Sequence, residues 1–339
     1  MRTSSGLPIQ DLHRWGFVAD GEGVSCADTV TQERGRNIQV SCVRERIQAV
    51  LPSFSEVEAR EYCHTLARRH YENFSVVTFL LPRALRPHFY ALYAYCRWAD
   101  DLGDEIADDT LSLLLLDWWE DELHALYAGE TPTHPVFIAL AETVREFGIP
   151  ETLFRNLLTA FRQDRSVREY TTRAELLDYC RCSANPVGRL ILYLARVTDE
   201  AAFLESDAIC TGLQLANFWQ DVARDWHEKG RIYLPREDRE RFSYTDADFQ
   251  NSASTSISSP EFRALLAEEV RWAETFFEAG RPLINRVPRT FRLEIRLFHD
   301  GGMAILDAIR KQDYTVWENR PEVGRWMKIR LLMKALMGR

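Results

Sequence analysis

The chain has 339 residues, 46% of them hydrophobic, 12% aromatic and 27% charged, a globular balance that excludes a disordered or low-complexity protein. Its formal net charge of −9 argues against an extended nucleic-acid footprint, which needs a basic surface, so no nucleic-acid partner is expected.

Residues 1–52 carry glycines and polar residues without a sustained period, as in GLPIQDLHRWGFVADGEGVSCADTVTQERGR. They are expected to be a poorly ordered extension, or a start assigned too early, ahead of a domain over 53–339. Ser55 with Glu58 has capping-box spacing, so a helix should begin beside Glu56. Pro82 and Pro87 punctuate the approach to 88–101, which is apolar and aromatic with helical spacing. Helical patterns follow over 110–128, 134–147, 151–164, 173–195, 200–226, 260–280, 288–311 and 322–337. The stretch 241–262 has five serines between 252 and 259 and reads as a polar loop. Alternating strand patterns are nearly absent, which points to an all-α fold, a large helical bundle.

Seven cysteines, at 26, 42, 63, 96, 180, 182 and 210, form no CxxC pair and no zinc-like spacing with histidine. They read as reduced, mostly structural thiols of a cytoplasmic protein. No apolar run approaches the roughly 18 residues that a membrane span needs. The first residues also lack the continuous apolar core of a signal segment.

Two acidic clusters, YCRWADDLGDE at 95–105 and NFWQDVARDW at 217–226, need one explanation. Residues four apart share a helix face. Tyr93, Arg97, Asp100 and Asp104 form one stripe; Asn217, Asp221 and Asp225 form another, with Gln214 one turn earlier. Like charges so spaced destabilise an isolated helix, and something should compensate. Mg²⁺ takes oxygen ligands, commonly one or two carboxylates plus substrate phosphate. Two such stripes facing each other would hold a diphosphate between metal ions. The competing reading is a solvated acidic face. Tyr93, Tyr95, Trp98, Phe218 and Trp219 stand beside the acids, and such apolar bulk argues against that reading.

These residues carry a resemblance. HYENFSVVTFLLP (70–82), LYAYCRWADDLGDE (92–105), DYCRCSANPVGRL (178–190) and GLQLANFWQDVARDWHEKGRIYLP (212–235) resemble, in order, the motifs of the squalene and phytoene synthase family, the head-to-head isoprenoid synthases. The resemblance runs from about Cys63 to the C-terminal helices. It implies a single terpenoid-synthase bundle with a central active-site cavity. CRCSANPVGRL and GLQLANFWQDVARD look most like the hydroxysqualene synthases of bacterial hopanoid synthesis, which take presqualene diphosphate to hydroxysqualene. The resemblance makes Asp100, Asp104, Asp221 and Asp225 ligands of two or three Mg²⁺ ions, with Asp101 in a supporting position. It places Tyr93, Arg97, Gln214, Asn217 and Arg231 at the diphosphate and metal site. His70 and Asn73 lie in the phosphate-cradle region, and Tyr179 near the reacting carbons. His227 reads as a local hydrogen-bonding residue, and the histidines form no HExxH spacing.

There are departures. Tyr71 and Asn73 stand where the family often has Ser or Thr, and Gln220 where many members have Arg. Ser183-Ala184-Asn185-Pro186-Val187-Gly188 replaces a Val-Ala-Gly run. Pro186 should break or kink the helix and hold Asn185 extended. Asn185 then either faces the cavity as a polar amide or marks a packing kink.

The implied chemistry is ionisation of a diphosphate, leaving a carbocation that aromatic faces stabilise in a dry cavity and that one water captures. No nicotinamide cofactor is expected. Presqualene diphosphate, squalene or phytoene-type synthesis from prenyl diphosphates such as farnesyl diphosphate remains an alternative, and so does a silent helical scaffold. RWMKIRLLMKAL at 325–336 is either a core helix with a basic edge or an interfacial patch at the inner face of the membrane. Partners would be that membrane surface and neighbouring pathway enzymes.

Overall fold

The computed structural model describes residues 10–12, 32–69 and 81–322. They fall into two compact units divided between Ser166 and Val167. The described residues are helical, with no strand; a lone parallel bridge joins Glu169 and Ile232. The all-α expectation holds.

The first unit contains α1 (Gln32–Val50), α2 (Glu56–Arg69), a 3₁₀ turn (Arg83–Leu85), α3 (Arg86–Asp104), α4 (Asp109–Tyr127), α5 (Pro135–Phe147) and α6 (Glu151–Ser166). The capping box at the start of α2 is formed. The Glu58 amide donates to Ser55 Oγ at 3.3 Å, and the Ser55 amide donates to the Glu58 carboxylate at 2.8 Å. Helix α3 is the spine of the unit, packed on α2, α4, α5 and α6. Trp98 of α3 stacks on Trp119 of α4, with centroids 5.2 Å apart and planes 11° off parallel. His134 sets its edge against both rings, at 4.6 and 4.9 Å. Its Nδ1 accepts from the Val136 amide to cap α5, and burial pushes its pKa down to about 3. Tyr95 meets Phe154 at 4.8 Å, completing an aromatic core beneath α3.

Within the extension expected over 1–52, the described residues include a helix. Helix α1 packs on α4 with Val40, Val43 and Ile47 buried. Arg44 Nε lies 3.1 Å from the buried Glu122 carboxylate. In the helical turn at 10–12, Leu12 is buried and Asp11 accepts from the Tyr62 hydroxyl at 2.7 Å. The apolar positions 40, 43 and 47 do have helical spacing, but arginines and glutamates dilute it.

The second unit contains α7 (Arg173–Ser183), α8 (Asn185–Leu194), α9 (Glu200–Gln220), α10 (Val222–Lys229), α11 (Arg236–Arg241), α12 (Asp246–Thr255), α13 (Pro260–Gly280), α14 (Leu283–Arg286) and α15 (Arg289–Lys311). Helix α9 is its axis, packed on α7, α8, α13 and α15. Glycines permit the close approach. A side chain at Gly188 would collide with Ser206 and Cys210 of α9. Phe277 of α13 fits between Gly212 of α9 and Gly302 of α15.

Three expectations change here. The helix expected over 173–195 does break, but at Ala184 (φ −108°, ψ −47°). Asn185 is then the first residue of α8 rather than extended, and Pro186 lies in the first turn, where a missing N–H costs nothing. The helix expected over 200–226 is interrupted at Asp221 (φ −107°, ψ 15°). The loop expected over 241–262 contains α12, opened by a capping box between Thr245 and Asp248. The expected helix 322–337, its patch at 325–336, and His70, Tyr71 and Asn73 lie outside the described residues, apart from Glu322.

A buried ionic network ties α11 to α7 and α13. Arg173 Nε lies 2.7 Å from Asp238 and its Nη2 3.0 Å from Glu269, while its guanidinium covers Trp272 at 4.4 Å. Arg239 pairs with Glu169 and with Asp246. Burial pushes the Glu269 carboxyl up to about 8 against the attraction of Arg173.

Two outcomes follow. Deleting residues 1–50 uncovers the face of α4 and loses roughly 1.5–3 kcal/mol for each buried aliphatic side chain. The thermal midpoint should fall by several degrees; an unchanged midpoint would show that α1 adds nothing. Glu269 is favoured neutral in the folded chain, so its stabilising effect is complete below the unfolded value near 4.5 and is lost as pH rises toward about 8. Glu269→Gln cannot ionise. Its unfolding free energy relative to the parent should therefore rise steadily from pH 5 to pH 8 in denaturant titrations; a flat difference would contradict this.

Candidate active site

The first acidic cluster closes α3. Asp100, Asp101 and Asp104 stand in its last turn, where the helix already ends in unpaired carbonyls and negative potential. No basic residue sits in that turn. Arg97, one turn back, answers two of the acids: Nη1 lies 3.1 Å from Asp100 Oδ2, and Nη2 pairs with Asp101. Asp101 is 1% exposed, and burial, outweighing Arg97, pushes its carboxyl up to about 8. The side chain of Asp100 is 43% exposed and Asp104 is exposed. Two accessible carboxylates thus stand one turn apart, beside a buried acid that anchors the guanidinium paired with Asp100. Tyr93 lies one turn before Arg97, its phenol pushed up to about 12, chiefly by burial.

The second cluster sits at the break between α9 and α10. Asp221 is the junction residue; its amide donates to Asn217 O at 2.9 Å, and the Asp225 amide donates to Asp221 O at 2.8 Å. Burial, then the nearby Asp221 charge, pushes the Asp225 carboxyl up to about 7. Gln214 is half-buried and Asn217 exposed, both on α9 before the break. Arg231 is buried, and its amide donates to Asp225 O at 3.2 Å. A small pocket is lined by Asp225, Arg231, Phe218, Val222, Tyr233 and Phe249. Phe218 and Tyr233 stack at 3.7 Å and 8°. Tyr179 lies 6.1 Å from Tyr233 and 5.5 Å from Tyr170, continuing the aromatic wall.

Asn185 is buried, and its Oδ1 accepts from Thr211 Oγ1 at 3.0 Å, a bond from α8 to α9. The aromatic residues beside the two motifs divide between core and pocket. Tyr95, Trp98 and Trp219 are fully buried in the cores of their own units. Phe218 and Tyr233 line the pocket.

Sequence reasoning missed Arg320. Its Nε lies 2.5 Å from Asp221 Oδ1 and its Nη2 3.0 Å from Oδ2, a two-toothed clamp. Nη2 also donates to Gln220 Oε1 at 3.2 Å, while Gln220 Nε2 donates to Pro321 O at 2.5 Å. The polar amide at 220 thus holds a guanidinium that arrives from 100 residues away.

Among the described residues no cluster of three or more His, Cys, Asp or Glu forms a ready metal cage. Each pair instead offers two carboxylates, an oxygen-only set that suits Mg²⁺ completed by substrate phosphate and water. The acids crowd at the negative end of α3 and at the end of α9, where a divalent cation relieves repulsion. The residues present fit the metal.

Comparison with known proteins gives the family. A family profile for squalene/phytoene synthase matches residues 67–327. The 15-cis-phytoene synthase of Synechocystis sp. is 31% identical over 284 residues, 80% of this chain and 82% of that protein. The hydroxysqualene synthase of Sinorhizobium fredii is 33% identical over 228 residues, 67% of this chain and 74% of that protein. Among solved structures, squalene synthase HpnC from Alicyclobacillus acidocaldarius is 44% identical with a TM-score of 0.71, covering 76% of this chain and 94% of its own. A dehydrosqualene synthase in complex with ligand is 26% identical with a TM-score of 0.73, covering 84% and 97%. With the motifs in order and an all-α fold shared with these structures, the chain belongs to the squalene/phytoene synthase family of isoprenoid synthases, which process prenyl diphosphates with divalent metal.

Proposed function

We propose that the protein is a hydroxysqualene synthase: it ionises presqualene diphosphate, lets the carbocation rearrange, and captures it with water. The observation that carries the reading is the pairing of acids with guanidinium groups at two helix ends, Arg97 on Asp100 and Arg320 on Asp221. The C–O bond to diphosphate breaks and its electron pair leaves with the diphosphate. Water then bonds to carbon and loses a proton to solvent, giving an alcohol and inorganic diphosphate.

Mg²⁺, two or three ions held by Asp100, Asp104, Asp221 and Asp225, would neutralise charge on the leaving oxygens. Arg97 and Arg231 add fixed positive charge, and Tyr93, Gln214, Asn217, His70 and Asn73 donate or orient hydrogen bonds at the diphosphate. The faces of Tyr179, Phe218 and Tyr233 stabilise the cation without reacting. Tyr179 and Asn185 hold the water. No hydride donor is required. The substrate and product are long apolar chains, so the same reading includes peripheral contact with the inner face of a membrane and with neighbouring pathway enzymes; no described helix is long and apolar enough to cross one.

Hydroxysqualene synthases match at 33–35% identity over 52–67% of the chain. Phytoene synthases match at 28–31% over 80–83%. That wider coverage favours a second reading, condensation of two prenyl diphosphates. Mass spectrometry of products separates the two. Presqualene diphosphate with Mg²⁺ and without NADPH should yield hydroxysqualene, its hydroxyl labelled from ¹⁸O-water. A C30 or C40 product from farnesyl or geranylgeranyl diphosphate alone would favour condensation, and squalene formed on adding NADPH would overturn the assignment.

Asp100→Asn and Asp221→Asn should each lower turnover by at least about 100-fold with helicity unchanged, because each removes charge-stabilising oxygen from the leaving-group site. Activity retained with unaltered Mg²⁺ dependence would refute the metal role. Tyr179→Phe or Asn185→Ala should change the ratio of alcohol to eliminated products more than it changes KM; an unaltered ratio would place the water elsewhere.

A further inference from the structure

After α15 the chain reverses through Asp313 and Tyr314, both left-handed (φ 58° and 62°), and runs as a strap over 315–321. The strap is fastened at three points. Trp317 is buried, edge-on to Phe249 at 5.2 Å. Glu318 accepts from the Ser258 amide at 2.8 Å and from its hydroxyl at 2.6 Å. Gln220 uses both ends of its amide, one on Pro321 O and one on Arg320. What these fastenings deliver is the Arg320 guanidinium, closed on both oxygens of Asp221.

We propose that this strap is a latch, and that Arg320 and a divalent cation compete for Asp221. The proposal rests on the reading of Asp221 and Asp225 as metal ligands. A cation approaching Asp221 meets a positive charge already neutralising that carboxylate, and the two repel at contact distance. The clamp therefore holds the metal-free site in order and weakens metal binding until Arg320 lets go. Two ligands whose binding to one group is mutually opposed lower each other's affinity by the same factor.

The test is Mn²⁺ binding, followed by electron paramagnetic resonance of the free ion, in the full chain without substrate. Asp100→Asn with Asp104→Asn provides the background, so that the second pair is read by itself. Adding Asp221→Asn should weaken binding. Adding Arg320→Ala instead should tighten it about fivefold, the upper range for removing a partly exposed ion pair. Glu318→Gln with Ser258→Ala, which loosens the strap but leaves Arg320 in place, should shift affinity in the same direction by less. If Asp221→Asn leaves Mn²⁺ binding unchanged, the metal reading of this pair fails and the latch fails with it. If Asp221→Asn weakens binding but Arg320→Ala leaves it unchanged or weaker, the metal reading stands and the latch is overturned.

Discussion

Carboxylates crowded at helix ends are the constraint around which both units are arranged. Three aspartates close α3, and Asp221 and Asp225 flank the end of α9. A helix C-terminus carries negative potential, so the aspartates ending α3 are placed against both their neighbours and the backbone, whereas Asp221, which precedes α10, and Asp225, in its first turn, oppose chiefly each other. Such a cluster is not a stabilising feature and needs an external reason. The chain limits the repulsion by two means. It brings a guanidinium to each cluster, and it buries Asp101 and half-buries Asp225, so that the proton of each is held more tightly.

Helices that carry such charge need rigid support elsewhere. In the first unit the Trp98–Trp119 stack, with His134 edge-on and uncharged, holds the middle of α3 in an aromatic core. In the second unit support comes from closeness rather than bulk. Gly188, Gly212 and Gly302 let α8, α13 and α15 approach α9 until Phe277 and Cys210 fill the gaps. Past the charged end, the network of Arg173, Asp238, Glu269 and Arg239 fixes α11 and so bounds the segment 231–235 bearing Arg231 and Tyr233. These devices set geometry. They do not touch the reacting groups.

What was legible in the sequence was local. Ser55 with Glu58, the four-residue spacing of Asp100 with Asp104 and of Asp221 with Asp225, and the break ahead of Pro186 are read within one or two turns of chain. Helix α1 was missed because its apolar positions are diluted by charged residues and its stability comes from packing on α4, which no window of sequence contains. Helix α12 was hidden by its serines, although Thr245 and Asp248 announce its start. Proximity along the chain to acids does not say which face a ring takes, and Tyr95 and Trp98 are buried in the core. Asn185 was expected extended from the rule for residues before proline, but a proline in the first turn of a helix is compatible with its geometry. Arg320 could not be found at all by spacing, since its partner is 99 residues away and the strap around it has no period.

The two guanidinium partners differ in a way that bears on how a metal would enter. Arg97 is on the same helix as its acids and divides itself between Asp100 and the buried Asp101. A cation taking Asp100 need not expel it, because Asp101 has little access to solvent and retains the charge-assisted bond. Arg320 is brought from the far end of the unit, and Asp221 is the carboxylate on which both its hydrogen-bonding edges close. A cation taking Asp221 must work against that charge directly. On the proposed reading the first pair is therefore ready to load, while the second loads only as the strap yields. The asymmetry arises from covalent distance: a partner three residues away is always present, and one 99 residues away is present only while the strap is fastened.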